Sequence, residues 1–312
     1  MLTAPVAVPA QMSKAWLLAL STSFLFSAVV PLSSLLLQRG LEPLSIMLLR
    51  YTLVSVLLII SMVAQPKYLK ISLNTLGLCL LCGLLYFVSV FTYTTALTHL
   101  SASVATILLP IYPLIVLILL AFRGEKLNSQ NLLRLLLGFL GVYIIIGPGG
   151  QVNMIGVLLM FTCCLSYALY LVIMQWFLKD KPVQSITFYV MLTITALTLI
   201  NWLALHVKDL KQALPPLSPS SILAILIIAI IGTYLAQLAL FKAVQLLGSA
   251  QIALLGPLEI LLTLLWSALL LHESLSPLQM LGGLLILASM VLALFRLKHI
   301  KRLWRSTVRW RI

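Results

Sequence analysis

Glu259 stands where a carboxylate is expensive. Of the six acidic residues in the chain it alone falls near the middle of an apolar stretch, the other five lying in or beside loops. An uncompensated charge at the centre of a membrane helix costs at least about 2.5–3.5 kcal/mol, so a carboxylate found there calls for an explanation. Gly256-Pro257 come just before it. Proline cannot donate a backbone hydrogen bond and leaves carbonyls of the preceding turn unpaired. Freed carbonyls beside a carboxylate form a site for a cation, a proton or an amine. The competing reading is a protonated Glu259 hydrogen-bonded to a neighbouring helix. Arg50, about two turns into another apolar stretch, supplies the opposite charge. It is placed to meet a substrate carboxylate, to snorkel towards the interface, or to hold a helix C-terminus.

A second group of candidates is neutral. Ser23 and Ser27 lie in one apolar stretch, Tyr86, Ser89 and Tyr93 in another, Ser166, Tyr167 and Tyr170 in a third, and Tyr234, Gln237 and Phe241 in a fourth. Spacings of three and four residues put each aromatic set on one helix face. Rings carrying hydroxyl or amide handles suit a moderately polar organic molecule. Taken singly, each residue is equally at home in interhelical packing or an interfacial belt.

Other chemistry finds little support. Cys79 and Cys82 form a C-x-x-C inside an apolar stretch, without a second pair at zinc spacing, and Cys163-Cys164 are adjacent. Small, soft side chains packed between helices account for all four. The four histidines are scattered near the ends of apolar stretches, and His272-Glu273 lacks the second His of a zincin motif. No metal site, cofactor site or nucleotide-binding P-loop is expected. An intramembrane enzyme would need paired acids, or a nucleophile with a base, at membrane depth. A channel would be favoured by rings of repeated charged or carbonyl groups. Neither pattern is visible, and the channel remains the alternative to a carrier.

The elements that must position these residues are membrane helices. Apolar residues make up 62% of the chain and charged residues 8%, far from the roughly 45–50% and 25% of a soluble domain. Runs near 15–37, 44–64, 71–98, 101–122, 131–147, 153–178, 185–206, 221–245, 249–271 and 277–296 are continuous rather than alternating, which predicts transmembrane helices and not a β-barrel. The third run is long for one crossing and is expected to start later or tilt. The expected fold is an all-α polytopic membrane protein of ten transmembrane helices.

The pattern occurs twice. Ala96 pairs with Ala243 and Pro110 with Pro257 at an offset of 147, and Ser27 pairs with Ser166 and Pro43 with Pro182 at an offset of 139. Glu125 and Glu273 pair one residue out of register. The Pro- and Ser-rich stretch 207–220 has no first-half equivalent, which makes it an insertion and explains the change of offset. The expected organisation is a cytoplasmic N-terminus (1–14), two five-helix repeats (15–147 and 153–296) and a basic tail (297–312). An odd number of crossings per repeat makes the halves enter the membrane from opposite sides, an architecture of transporters with a binding site near the midplane. Pro110, Pro113 and Pro257 are the expected helix breaks.

Lys14, Lys67, Lys70, Arg123, Lys126, Arg134, Lys179, Lys181 and the tail would share one side, against Arg39, Lys208 and Lys211 on the other. By the positive-inside rule both termini face the cytoplasm. No cleavable signal or transit peptide is apparent. The formal charge of +14 needs no nucleic acid, because about half of it lies in the tail. There Arg296, Lys298, Lys301, Arg302, Arg305, Arg309 and Arg311 interleave with Trp304 and Trp310. That is an interfacial segment for anionic headgroups, or a positive-inside stop.

The stretch Ser101 to Glu125, with S-A-S-V-A, Pro110, Pro113 and Gly124-Glu125, followed by Gly138 and Gly141, resembles the EamA-type repeat of the drug/metabolite transporter superfamily. The second copy has Gly248-Ser249-Ala250, Pro257, Glu273 and Gly282-Gly283, and Pro43 with Arg50 seven residues on resembles the family's second helix. The resemblance implies two inverted five-helix bundles around a central cavity lined largely by helices 1, 3, 4, 6, 8 and 9. It also implies a secondary transporter of small metabolites in the cell membrane, with amino acids or related compounds as substrates and export the usual direction. Spans without clustered Lys and Arg disfavour a phosphate ester or nucleotide sugar. Tyr189 stands opposite Arg50 in the second copy, so only one half carries that charge. A monomer or homodimer is expected.

Overall fold

The computed structural model describes residues 9–64, 66–109, 111–122, 153–206, 217–247, 256–273 and most of 276–288, with Ile252 and isolated positions between 133 and 144. Pro110, the runs expected at 131–147 and 277–296 in large part, and the basic tail lie outside the described residues. Among the described residues every regular element is helical.

The elements are α1 (Pro9–Ser27), α2 (Val29–Gln38), α3 (Pro43–Ala64), a short 3₁₀ turn (Pro66–Leu69), α4 (Leu73–Ala96), α5 (Ala102–Leu108) and α6 (Ile111–Ala121). There follow α7 (Met154–Phe177), α8 (Val183–His206), α9 (Pro219–Leu226), a π-helical segment (Ile227–Leu235), α10 (Ala236–Leu247) and α11 (Gly256–Leu271). Among the described residues six helical stretches are long and apolar enough to cross a membrane, and two shorter apolar helices accompany them. At about 1.5 Å per residue, the 24 residues of α4 cover the roughly 30 Å hydrocarbon core in one pass. The long third run is therefore a single crossing that begins at Leu73.

Local sequence sets the helix starts. Ser72, Ser101, Asn153 and Ser218 each accept a backbone N–H from the first turn they precede, which satisfies a donor that has no partner within the helix. Within the spans, hydroxyls of Thr92, Thr94, Thr106, Thr187 and Thr198 donate to carbonyls four residues back. These polar groups thereby reach an apolar interior already paired.

Three spans depart from a straight α-helix. The first run is two helices with a turn at Ala28. Pro31 has no N–H to give the Ser27 carbonyl, and its ring crowds that carbonyl, which breaks the ladder at this point. Between α5 and α6, Pro113 likewise withholds a bond from Leu109. That carbonyl accepts instead from the Tyr112 amide at 3.0 Å and the Cys164 thiol at 3.6 Å. Pro113 itself sits in the first turn of α6, where proline is tolerated. The eighth run is continuous but widens into the π segment, where the Thr233 hydroxyl donates to Ile228, five residues back, at 2.7 Å.

The packing pairs α4 with α7 and α8, α3 with α8, and α1 with α10 and α11. Gly83 of α4 lies so close to Thr193 of α8 that a Cβ there would collide with it. Gly232 of the π segment is pressed in the same way by Val29. Polar bonds fasten α3 to α8: Ser55 to Thr195 at 2.7 Å, and the Trp202 indole to Ser45 at 2.9 Å. One core of buried side chains, including Met62, Cys79, Cys82, Leu178 and Val244, fills one end of the bundle.

Candidate functional site

The other end of the bundle is hollow. Lining residues on α4 run from Tyr86 to Thr94, all in the second half of that helix. The cavity leaves about 120 Å³ free to the centres of water-sized molecules. Its charged lining consists of Arg50 from α3 and Glu259 from α11. Tyr86, Ser89 and Tyr93 contribute one wall, Tyr112, Cys163 and Tyr167 another, and Phe26, Val29, Val30 and Ser33 bring α1 and α2 to it.

Arg50 is buried and does not snorkel. Its Nε donates to the Thr233 hydroxyl, and its guanidinium lies 5.1 Å from the centre of the Tyr51 ring. The widened turn of the π segment is what presents Thr233 at that point, a placement in keeping with π-bulges at functional positions. Among the described residues no carboxylate lies within ion-pair distance of Arg50; the single ion pair there is His206 with Glu42, 2.6 Å apart, and neither lines the cavity. Glu259 is half-buried in the first turn of α11. A carboxylate there is favoured by the unpaired amides of the helix start. Pro257 is the second residue of that helix, so the proline opens α11 rather than interrupting its middle.

The four hydroxyl candidates Tyr86, Ser89, Tyr93 and Tyr167 converge on the cavity with the two charges. Ser89 lies 3.4 Å from the Cys163 thiol. Tyr170 shares a helix face with Tyr167 but stands behind Tyr86, with rings 5.0 Å apart and nearly parallel at 15°. Ser23, Ser27 and Ser166 are buried without lining the cavity, Ser27 donating to the Phe24 carbonyl. Tyr234 is half-buried against the closed core. Gln237 and Phe241 are fully buried beneath the tyrosines. Cys79 and Cys82 are buried thiols, and among the described residues no group of metal-ligating side chains occurs.

Among the lining residues that escaped the sequence reading as site candidates are Ser33, Thr94, Tyr112 and Cys163. Tyr112 occupies the repeat position of Glu259, each two residues after a proline at the offset of 147. That correspondence was the available signal. Cys163 has no sequence mark apart from its neighbours in α7.

Glu273 also finds its role in the structure. Its carboxylate accepts from the amides of Ala102 and Ser103 and from the Ser103 hydroxyl, at 2.7–3.0 Å. It thereby caps α5 from the far end of α11, using charge-assisted bonds at a helix N-terminus.

A multi-pass helical bundle with a polar, charged cavity between broken helices is the form of a membrane solute transporter. The model of the EamA-like transporter family matches residues 13–147 and again residues 154–295, and the chain belongs to that family. Its members are transporters rather than enzymes. No curated protein matches the chain. A solved structure titled "Crystal structure of protein" superposes with a TM-score of 0.66 at 20% identity, over 92% of this chain and 99% of its own, a likeness that shows the fold.

Proposed function

We propose that the protein is a secondary transporter that exports small zwitterionic metabolites, amino acids or close relatives, through the cavity between Arg50 and Glu259. The supporting observation is that one guanidinium and one carboxylate line the same cavity without pairing with each other. A ligand bearing both charges completes both partners, and the tyrosine and serine hydroxyls suit its polar remainder. In this reading ten helices form two inverted five-helix repeats with both termini in the cytoplasm of a cell-membrane protein. Rocking of the repeats about the breaks near Pro110, Pro113 and Pro257 exposes the site to each side in turn. Glu259 carries a coupling proton or holds the substrate amine.

The test is overexpression in a bacterial host with metabolite profiling of the medium, against Glu259→Ala and an empty vector. A zwitterion that accumulates outside only with the intact protein is the expected result. If proteoliposomes loaded with a panel of amino acids released none of them, with or without an imposed proton gradient, the substrate class would be wrong. A Glu259→Gln protein that transported normally across a range of pH would remove the coupling role alone.

A further inference from the structure

The cavity does not reach the far end of the bundle, and the obstruction is specific. Tyr86 lines the cavity. Tyr170 stacks on its far side, and Phe241 meets Tyr170 edge-on at 6.2 Å and 67°. Phe241 in turn lines a second, narrow cleft at the opposite end, together with Leu178, Ile186 and Val244. A contiguous set of three rings therefore runs from the lining of one opening to the lining of the other.

Beneath the rings lies a polar group out of place. Gln237 is wholly buried, and neither its amide nitrogen nor its carbonyl oxygen completes a hydrogen bond; the hydroxyls of Tyr51 and Tyr170 share that condition. The Gln237 amide sits beside Tyr86 without a well-formed bond to it. Buried polar groups left unpaired are unfavourable, and a layer closed at all times would be better built from apolar side chains. The repeat supplies an independent observation. At the offset of 147, Gln237 corresponds to Val90 and Phe241 to Thr94. Val90 and Thr94 both line the open cavity. The same two positions thus face the solute path in one repeat and are sealed in the other.

We infer that Tyr86, Tyr170 and Phe241 form the closed gate of a single permeation path, and that Gln237 is a specificity-determining substrate contact reached only when this gate parts. The inference rests on the transporter reading above. When the rings separate, Gln237 offers an amide donor and acceptor to the passing solute, and the hydroxyls of Tyr51 and Tyr170 become hydrated. The closed cleft then takes the role that the cavity has in this state.

The experiment is side-specific thiol labelling in a background lacking the four native cysteines. Val90→Cys, Gln237→Cys and Phe241→Cys are each treated with a membrane-impermeant trimethylammonium-ethyl thiosulfonate, applied to intact cells and to inside-out vesicles. Val90→Cys is expected to react from one face. Gln237→Cys and Phe241→Cys are expected to react from the other face alone. With a minor state populated at roughly 0.1–10%, they should react about ten- to a thousandfold more slowly than Val90→Cys. Labelling of both from the face that labels Val90→Cys overturns the gate, as does no labelling from either face. The double variant Val90→Cys/Gln237→Cys guards against misfolding, since its Val90→Cys rate must match the single variant. If Val90→Cys itself reacted from neither face, the cavity reading would fail, which is distinguishable from failure of the gate.

Discussion

The two repeats share a scaffold and differ in what they place on it. Each has a proline followed two residues later by a cavity-lining side chain, Tyr112 in the first copy and Glu259 in the second. Each has an equivalent position in its second helix, Arg50 in one and Tyr189 in the other. Arg50 is buried at the cavity, whereas the Tyr189 hydroxyl donates to the Leu69 carbonyl at the bundle's edge, 2.7 Å away. Duplication supplied the breaks and the facing helices, and single-copy substitutions supplied the charges. A twice-occurring scaffold therefore holds an asymmetric cavity, the asymmetry that the proposed zwitterionic ligand would call for.

The comparison is open to breakage at graded strength. Exchanging the single-copy charge should matter most. Arg50→Met removes a charge-assisted contact of about 1.5–3 kcal/mol, so initial uptake into proteoliposomes should fall at least about tenfold, while Tyr189→Phe stays within about twofold. Equal losses at both positions would end the claim of asymmetry. Next, Gly232→Ala pushes a methyl into Val29 where the π segment meets α2. Overpacking of this kind costs about 1–3 kcal/mol, and thermal unfolding in detergent should show the loss and its recovery in Gly232→Ala/Val29→Ala. A smaller effect belongs to Glu273→Gln, which weakens the cap on α5 by about 1–2 kcal/mol. At about 2–4 °C per kcal/mol for large domains, a drop of several degrees is expected, with substrate affinity kept. The least effect is at the His206–Glu42 pair, whose carboxylate is exposed, where Glu42→Gln should shift stability by less than about 1 kcal/mol.

The charges were legible because their cost in an apolar run makes them conspicuous. Tyr86, Ser89 and Tyr93 were legible as a face because helical spacing fixes which side chains travel together. What spacing cannot give is which face meets the cavity. Tyr167 and Tyr170 share a face, yet one lines the cavity and the other is stacked behind Tyr86. The partner of Arg50 was hidden for a related reason. Thr233 is an ordinary threonine in an apolar run until a π turn rotates it toward the guanidinium. The turn at Ala28 was written in Pro31, but a hydropathy window averages over a single proline. The span boundaries were read to within a few residues in α3, α7 and α8.

One short connection has a practical consequence. The turn between α2 and α3 holds both ends of the stretch 207–216. Arg39 reaches Ser220 and Ser221 at the start of α9, and Glu42 reaches His206 at the end of α8. The residues on either side of that stretch are thus held in place by residues outside it, and adding chain between ends already fixed costs only about 0.6 kcal/mol per doubling of length. It is the natural place to graft an epitope or a rigid fiducial domain. A carrier handled by such a graft could be oriented, captured or imaged with its helices left as they are.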